Sequence, residues 1–137
     1  MRSFSTYRLV KSEDLNHHGT LYAGRSAEWF VESGFVAASS LLPAKNIICL
    51  KIHGMSFLHP VRPGQTICFE SRVVFTGKSS LRVYTKVYLG NQPEVLYVEG
   101  FITFIHVDEN TKPKPHGLEI VPETEEEIKL YELAKNV

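Results

Sequence analysis

Cysteine is scarce: Cys49 and Cys68 are the only two in 137 residues. They form no CxxC pair, so the chain lacks the cysteine spacing of a metal or redox site and cannot be a disulfide-built scaffold. Both lie in apolar, β-branched runs, which predicts small buried hydrophobes with free thiols. A charge excess of either sign is also missing. Fifteen Lys and Arg balance fifteen Asp and Glu, for a formal net charge of +0, which removes any general attraction for nucleic acid or an anionic membrane. No run approaches the roughly twenty apolar residues of a membrane-spanning helix. The opening MRSFSTYRLVKSED has no apolar signal-peptide core. These absences predict a cytoplasmic protein with neither nucleic acid nor membrane as partner.

Apolar residues make up 43% and charged residues 22%, ordinary values for a folded soluble chain. No repeat, low-complexity segment or linker interrupts it, so residues 1–137 are expected to form a single domain. Ser3 to Val10 alternates apolar with polar residues and reads as a strand. A polar loop with Asp14, Asn16 and Gly19 follows. Residues 21–42 have helical periodicity, with Ala27, Phe30, Val31, Gly34, Phe35 and Ala38 as the apolar stripe, and Pro43 closes the helix. Four strands are expected next: 46–57 with Gly54 as a bulge, 66–76, 81–89 and 95–107. Along 66–76, Ile67, Phe69, Ser71 and Val73 should face one side and Cys68, Glu70, Arg72 and Val74 the other. A tail helix over about 123–136 starts near Thr124 with acids in its first turn. Hairpin-length connections favour an antiparallel sheet with the long helix laid across it, an α+β architecture.

Four segments in this order resemble the hotdog-fold acyl-CoA thioesterases, over about residues 8–115. They are Asn16-His17-His18-Gly19-Thr20-Leu21-Tyr22-Ala23-Gly24 leading into Trp29-Phe30-Val31-Glu32; Phe57 through Gln65; the turn Gly77-Lys78-Ser79-Ser80-Leu81; and Phe101 to Phe104 with Val107-Asp108-Glu109 and Lys112-Pro113. The resemblance implies a curved antiparallel sheet wrapped around a long central helix, and hydrolysis of an acyl-CoA thioester to acid and free coenzyme A. It further implies no separate cofactor, since coenzyme A is part of the substrate, and a homodimer or larger homo-oligomer whose active sites are shared between subunits. Relatives carry their catalytic acid at the position of Val31, or two acids in succession; here the acid is Glu32.

Thioester hydrolysis needs a group to activate water or attack the carbonyl, donors for the oxyanion, and a slot for the acyl chain. Glu32 is the candidate for the first role. Glu28 stands one turn away and Arg25 can neutralise it, although a charged row on a helix is also the usual solvated face. Ala23 and Gly24, at the helix start, offer unpaired backbone amides. Asn16 can orient water or substrate, or simply organise its loop. His18 and His59 are placed near substrate. Arg62, Lys78, Ser79, Ser80 and Arg82 are candidates to meet the phosphates of coenzyme A. The acyl slot is expected from Met55 and Phe57, with Trp29. The six histidines show no HxxxH or HExxH spacing, so no metal is expected. GxSxG, Walker and GxGxxG motifs are absent, and with them the usual marks of a serine esterase elbow, nucleotide hydrolysis or dinucleotide redox chemistry. The other readings on this fold are a non-catalytic acyl-CoA-binding regulator, kept open by Val31, and a hydratase using His59 and Glu32.

Overall fold

The computed structural model describes all residues 1–137. In chain order the elements are β1 (Phe4–Leu9), α1 (Ala23–Ser39), β2 (Ile47–Ile52), β3 (Ser56–Phe57), β4 (Thr66–Thr76), β5 (Ser80–Leu89), β6 (Val98–His106) and α2 (Glu125–Lys135). The strands form one antiparallel sheet in the order β1-β4-β5-β6-β2, with β3 also paired to β6. α1 touches β1, β2, β4, β5 and β6. A sheet that meets one helix with all five long strands has to curve around it, as the family resemblance implies. α2 lies on the other face, where Leu130 and Ala134 cover Val74.

Period-2 patterning sets the faces of β4 as expected. Ile67, Phe69, Ser71 and Val73 are buried with Phe30 and Ala38 of the helix, while Glu70 and Arg72 are half-buried on the far side. Each fully buried aromatic such as Phe30 or Phe69 stabilises the fold by about 2–3 kcal/mol of transfer free energy. The face that α1 buries is rotated from the expected stripe. Ser26, Trp29, Phe30, Ser33, Gly34, Ala37 and Ala38 are buried, whereas Ala27, Val31 and Phe35 are only partly covered. Serine escapes a count of apolar residues, but Ser33 is at home here because its Oγ lies 2.7 Å from Ser71 Oγ, and Ser71 Oγ lies 2.6 Å from Thr85 Oγ1. The three hydroxyls satisfy one another inside the core.

Four expectations are corrected, three at the edge of the sheet and one at the end of α1. The strand expected over 46–57 is broken into β2 and β3. Gly54 does not form a bulge; it ends the ladder at φ +141, a conformation that suits glycine, and the register shift lies between Cys49 and Lys51. Cys49 is exposed rather than buried, because β2 is an edge strand with no neighbour beyond it; Cys68 is buried, and both thiols are free. α1 ends at Ser39, not at Pro43, as the Ser40 amide turns back to the carbonyls of Ala37 and Ala38. The edge leaves Ile48, Leu50 and Ile52 exposed, Leu50 to 60%. α2 agrees with the expectation, its first turn capped by Thr124 Oγ1, which accepts from the Glu127 amide at 3.1 Å. No helix is long and apolar enough to cross a membrane.

Candidate active site

The loop before α1 is built by Asn16. Its Oδ1 accepts from the backbone amides of His18 at 2.9 Å and Thr20 at 3.2 Å, and its Nδ2 donates to Thr20 Oγ1 at 3.1 Å. Two backbone donors fix which side of the amide carries oxygen. The oxygen is therefore used up by the loop, and Nδ2 also lies 3.5 Å from the Leu21 carbonyl, so both ends of the amide brace it. Gly19, at φ +75, makes the reversal that brings its own amide to the Asn16 carbonyl. Asp14, only 2% exposed, anchors the loop from beneath. Its Oδ2 accepts from the Lys11 amide at 2.9 Å, its Oδ1 lies 3.5 Å from Arg25, and its carbonyl accepts from the Tyr22 amide. Arg25 also meets Glu28 at 3.5 Å, the neutralising contact expected for that pair.

The helix therefore starts in a fixed relation to Asn16. The Arg25 and Ser26 amides are satisfied by the Tyr22 carbonyl, but no acceptor within the chain meets the amides of Ala23 and Gly24. The Tyr22 ring lies over Gly24, where a Cβ would come within 2.5 Å of it. Asn16, Ala23 and Ser26 line one wall of a cavity of about 290 Å³, and Phe57, Leu58, His59 and Val61 are among its other walls. This is a largely apolar slot beside the unpaired amide end of α1, the form of a small-molecule site. Of the residues expected to build the slot, Phe57 does so. Met55 packs on the main core, and Trp29 is buried edge-on against Phe69, their ring centroids 6.1 Å apart. His59 lines the cavity, its ring 5.1 Å from that of Tyr97. His18 is exposed beside His17 and does not line the cavity.

Glu32 is elsewhere. It lies nine residues beyond Ala23 in α1, which puts it on the opposite side of the helix and about 14 Å further along the axis. There it is exposed and pairs with Arg8 of β1 at 2.8 Å. The basic turn is also remote from the cavity. Ser80 is opposite Ile105 in the β5–β6 ladder, whereas the cavity wall is at Val98, about 23 Å back along the strand. In that turn Lys78 is exposed, the Gly77 amide donates to the Ser80 carbonyl, and His116 binds the Lys78 and Ser80 carbonyls. Arg62 is exposed, and its amide donates to Gln65 Oε1. Arg82 is drawn inward, with Nε donating to Thr103 Oγ1 and Nη1 to the Ala134 carbonyl of α2, and burial lowers its pKa. Within one protomer, then, Asn16, Ala23 and His59 line one cavity, Gly24 is next to Ala23 in the chain but does not line it, and Glu32, Arg62, Lys78, Ser79, Ser80 and Arg82 do not join them. Sequence reasoning missed Asp14 and Ser26. The signal for Ser26 was its spacing of three from Ala23, which shares that helix face. No group of three or more His, Cys, Asp or Glu side chains is arranged to hold a metal ion.

Residues 18–96 match the model of the thioesterase superfamily. The chain is 32% identical over 124 residues to a Bacillus subtilis protein named as an uncharacterized acyl-CoA thioester hydrolase, YkhA, covering 88% of this chain and 71% of that one. An apo-hexameric acyl-CoA thioesterase superposes with a TM-score of 0.87 at 31% identity, over 98% of this chain and 86% of the other. The acyl-CoA hydrolase of Staphylococcus aureus, solved with butyryl coenzyme A, coenzyme A and coenzyme A disulfide, gives a TM-score of 0.86 at 25% identity, over 98% and 80% of the two chains.

Proposed function

Because this chain belongs to the thioesterase superfamily and has the hotdog fold of the acyl-CoA thioesterases, we propose that the cavity at the start of α1 is where it hydrolyses an acyl-CoA thioester, and that Glu32 of a second subunit completes the site. The enzyme is an acyl-CoA thioester hydrolase. The observation that carries the site assignment is the pair of unpartnered amides, Ala23 and Gly24, at the start of α1, where Ala23 lines a largely apolar slot together with Asn16.

The thioester carbonyl oxygen is held by those two amides, at the end of the loop that Asn16 braces, where the helix dipole also favours negative charge. An amide donor of this kind is worth about 3 kcal/mol at the transition state. The Glu32 carboxylate either takes a proton from the attacking water or attacks the carbonyl carbon itself. Both routes pass through an oxyanion, break the C–S bond and release the thiolate, which takes up a proton to become free coenzyme A. Water attack gives the acid directly, whereas carboxylate attack leaves a mixed anhydride that a water then hydrolyses to the acid, regenerating Glu32. No metal or redox cofactor enters this scheme. Glu32 reaches the site from a partner, because within its own chain it faces away from Ala23. The exposed apolar edge of β2 is a surface on which two copies can pair. The same assembly would bring Lys78, Ser79, Ser80 and Arg62 of a neighbour to the coenzyme A phosphates. A cytoplasmic location is part of the proposal and rests on the balanced charge and the free thiols.

The test is thiol release over a panel of acyl-CoAs, comparing wild type with Glu32→Gln. The expected result is a loss of about 10²–10⁴-fold in kcat with acyl-CoA binding retained. Equal turnover in both proteins removes Glu32 from the chemistry. Saturable acyl-CoA binding without turnover in wild type makes the protein a non-catalytic acyl-CoA binder.

A further inference from the structure

The helix wall of the slot, Ala23 and Ser26, carries one polar side chain, that of Ser26. Ser26 is only 3% exposed. The buried hydroxyls of Ser33, Ser71, Thr85 and Thr103 all have partners, but that of Ser26 makes no hydrogen bond within the chain. No side-chain polar atom is both sealed off and unpaired, so the Ser26 hydroxyl keeps a small opening, and the cavity is the space that the residue lines. Ser26 shares the helix face of Ala23, one turn on and about 4.5 Å further along the axis. Ala23 is exposed and Ser26 buried, so that turn leads inward, from the amides to the depth of the slot.

A hydroxyl removed from bulk water disfavours a plain hydrocarbon neighbour and favours one that offers a hydrogen bond. With the thioester carbonyl oxygen on the Ala23 and Gly24 amides, the first carbons of the acyl chain run past Ser26. The rise of about 4.5 Å over one turn is comparable to the span from a carbonyl oxygen to a substituent on the third carbon, so an oxygen there is the group such a chain would bring to that hydroxyl. We infer that Ser26 is a specificity-determining residue, selecting acyl-CoAs that carry a hydroxyl on the third carbon over saturated acyl-CoAs of equal length. The inference rests on the hydrolytic reading of the same cavity. Both partners of the bond are hydroxyls, so each can donate or accept.

The experiment compares kcat/KM for 3-hydroxybutyryl-CoA and butyryl-CoA in wild type, Ser26→Ala and Ser26→Thr, by release of free thiol. The expected wild-type preference for the hydroxyacyl substrate is about tenfold or more. Ser26→Ala should bring the ratio close to one, and Ser26→Thr, which keeps a hydroxyl, should retain a preference of the same sign. A wild-type ratio of one or less, or an unchanged ratio in Ser26→Ala, overturns the assignment. Failure of the hydrolytic reading has a different signature, no thiol from either substrate in any variant. The same ratio is then read from the two binding constants, where equal affinities in wild type overturn the role of Ser26 and a preference lost in Ser26→Ala upholds it.

Discussion

Arg8 of β1 reaches α1 and holds Glu32, Nη2 to Oε2, at 2.8 Å, while its guanidinium lies 5.2 Å from the centre of the Trp29 ring. The two charged side chains are 44% and 62% exposed. A pair so open to water is worth under about 1 kcal/mol. Arg8→Gln should therefore shift the free energy of urea unfolding of a dissociated protomer by less than that amount. A loss above about 2 kcal/mol in the intact assembly would mean that another chain covers the pair there.

The hydroxyl chain Ser33–Ser71–Thr85 behaves differently, because all three residues are buried. Ser71→Ala removes the central member. Ser33 keeps the Phe69 carbonyl at 3.3 Å, while Thr85 loses its partner. Leaving a buried hydroxyl unpaired should destabilise the fold by about 1–3 kcal/mol, measured as a lowered denaturation midpoint with an unchanged slope. An unaltered midpoint would show that water replaces the missing hydroxyl.

Two glycines face each other's elements with opposite expected outcomes. A Cβ on Gly100 would come 2.1 Å from the Gly54 carbonyl oxygen, a backbone atom, so Gly100→Ala has to push β6 away from the chain that follows β2. The expected loss exceeds about 2 kcal/mol. On Gly34 the obstruction is Ile102 Cδ1 at 2.8 Å, the far end of a side chain with other rotamers. The gain of about 1 kcal/mol in helix propensity offsets that adjustment, so Gly34→Ala should stay within about 1 kcal/mol of wild type. Thermal melts of both variants decide the comparison, and a Gly100→Ala protein as stable as Gly34→Ala would refute it.

Acid should weaken the fold through His53. Burial, with Arg82 and Lys51 nearby, lowers its pKa. Its Nε2 faces Thr103 Oγ1, which already accepts from Arg82 Nε, so the hydroxyl donates to an unprotonated ring. The unfolded chain binds the proton first. As pH falls from about 6.5 towards the lowered folded value, the unfolded state holds more protons and the folded state loses stability. Urea midpoints measured across that window should fall for wild type more steeply than for His53→Gln. Parallel curves would remove His53 as the source.

The strands and the tail helix can be read from the sequence because their patterns are local. Period-2 alternation in 66–76, the hairpin turn at Gly77 and the Thr124 cap each need only near neighbours. The rotated face of α1 cannot be read that way. It depends on Ser33 finding Ser71, which is 38 residues away in the chain. The exposure of Cys49 likewise follows from β2 taking the edge of the sheet. At the site, residue types point to Asn16, Ala23 and Gly24 together. The occupation of Arg82 by α2 and the anchoring of the loop by Asp14 become visible only once the chain is folded, since both rest on contacts between separate elements.

The separation of Ala23 from Glu32 along α1 has a consequence for mixtures of defective chains. If one subunit lends its carboxylate to its neighbour's slot, an Asn16→Ala chain and a Glu32→Gln chain are each inactive alone, yet a pair of the two contains one site that carries both lesions and one that carries neither. Co-refolding them in equal amounts gives mixed pairs in half of all encounters and should restore about one quarter of wild-type turnover. The activity of the enzyme would then be a property of the pairing, inherited by no single polypeptide.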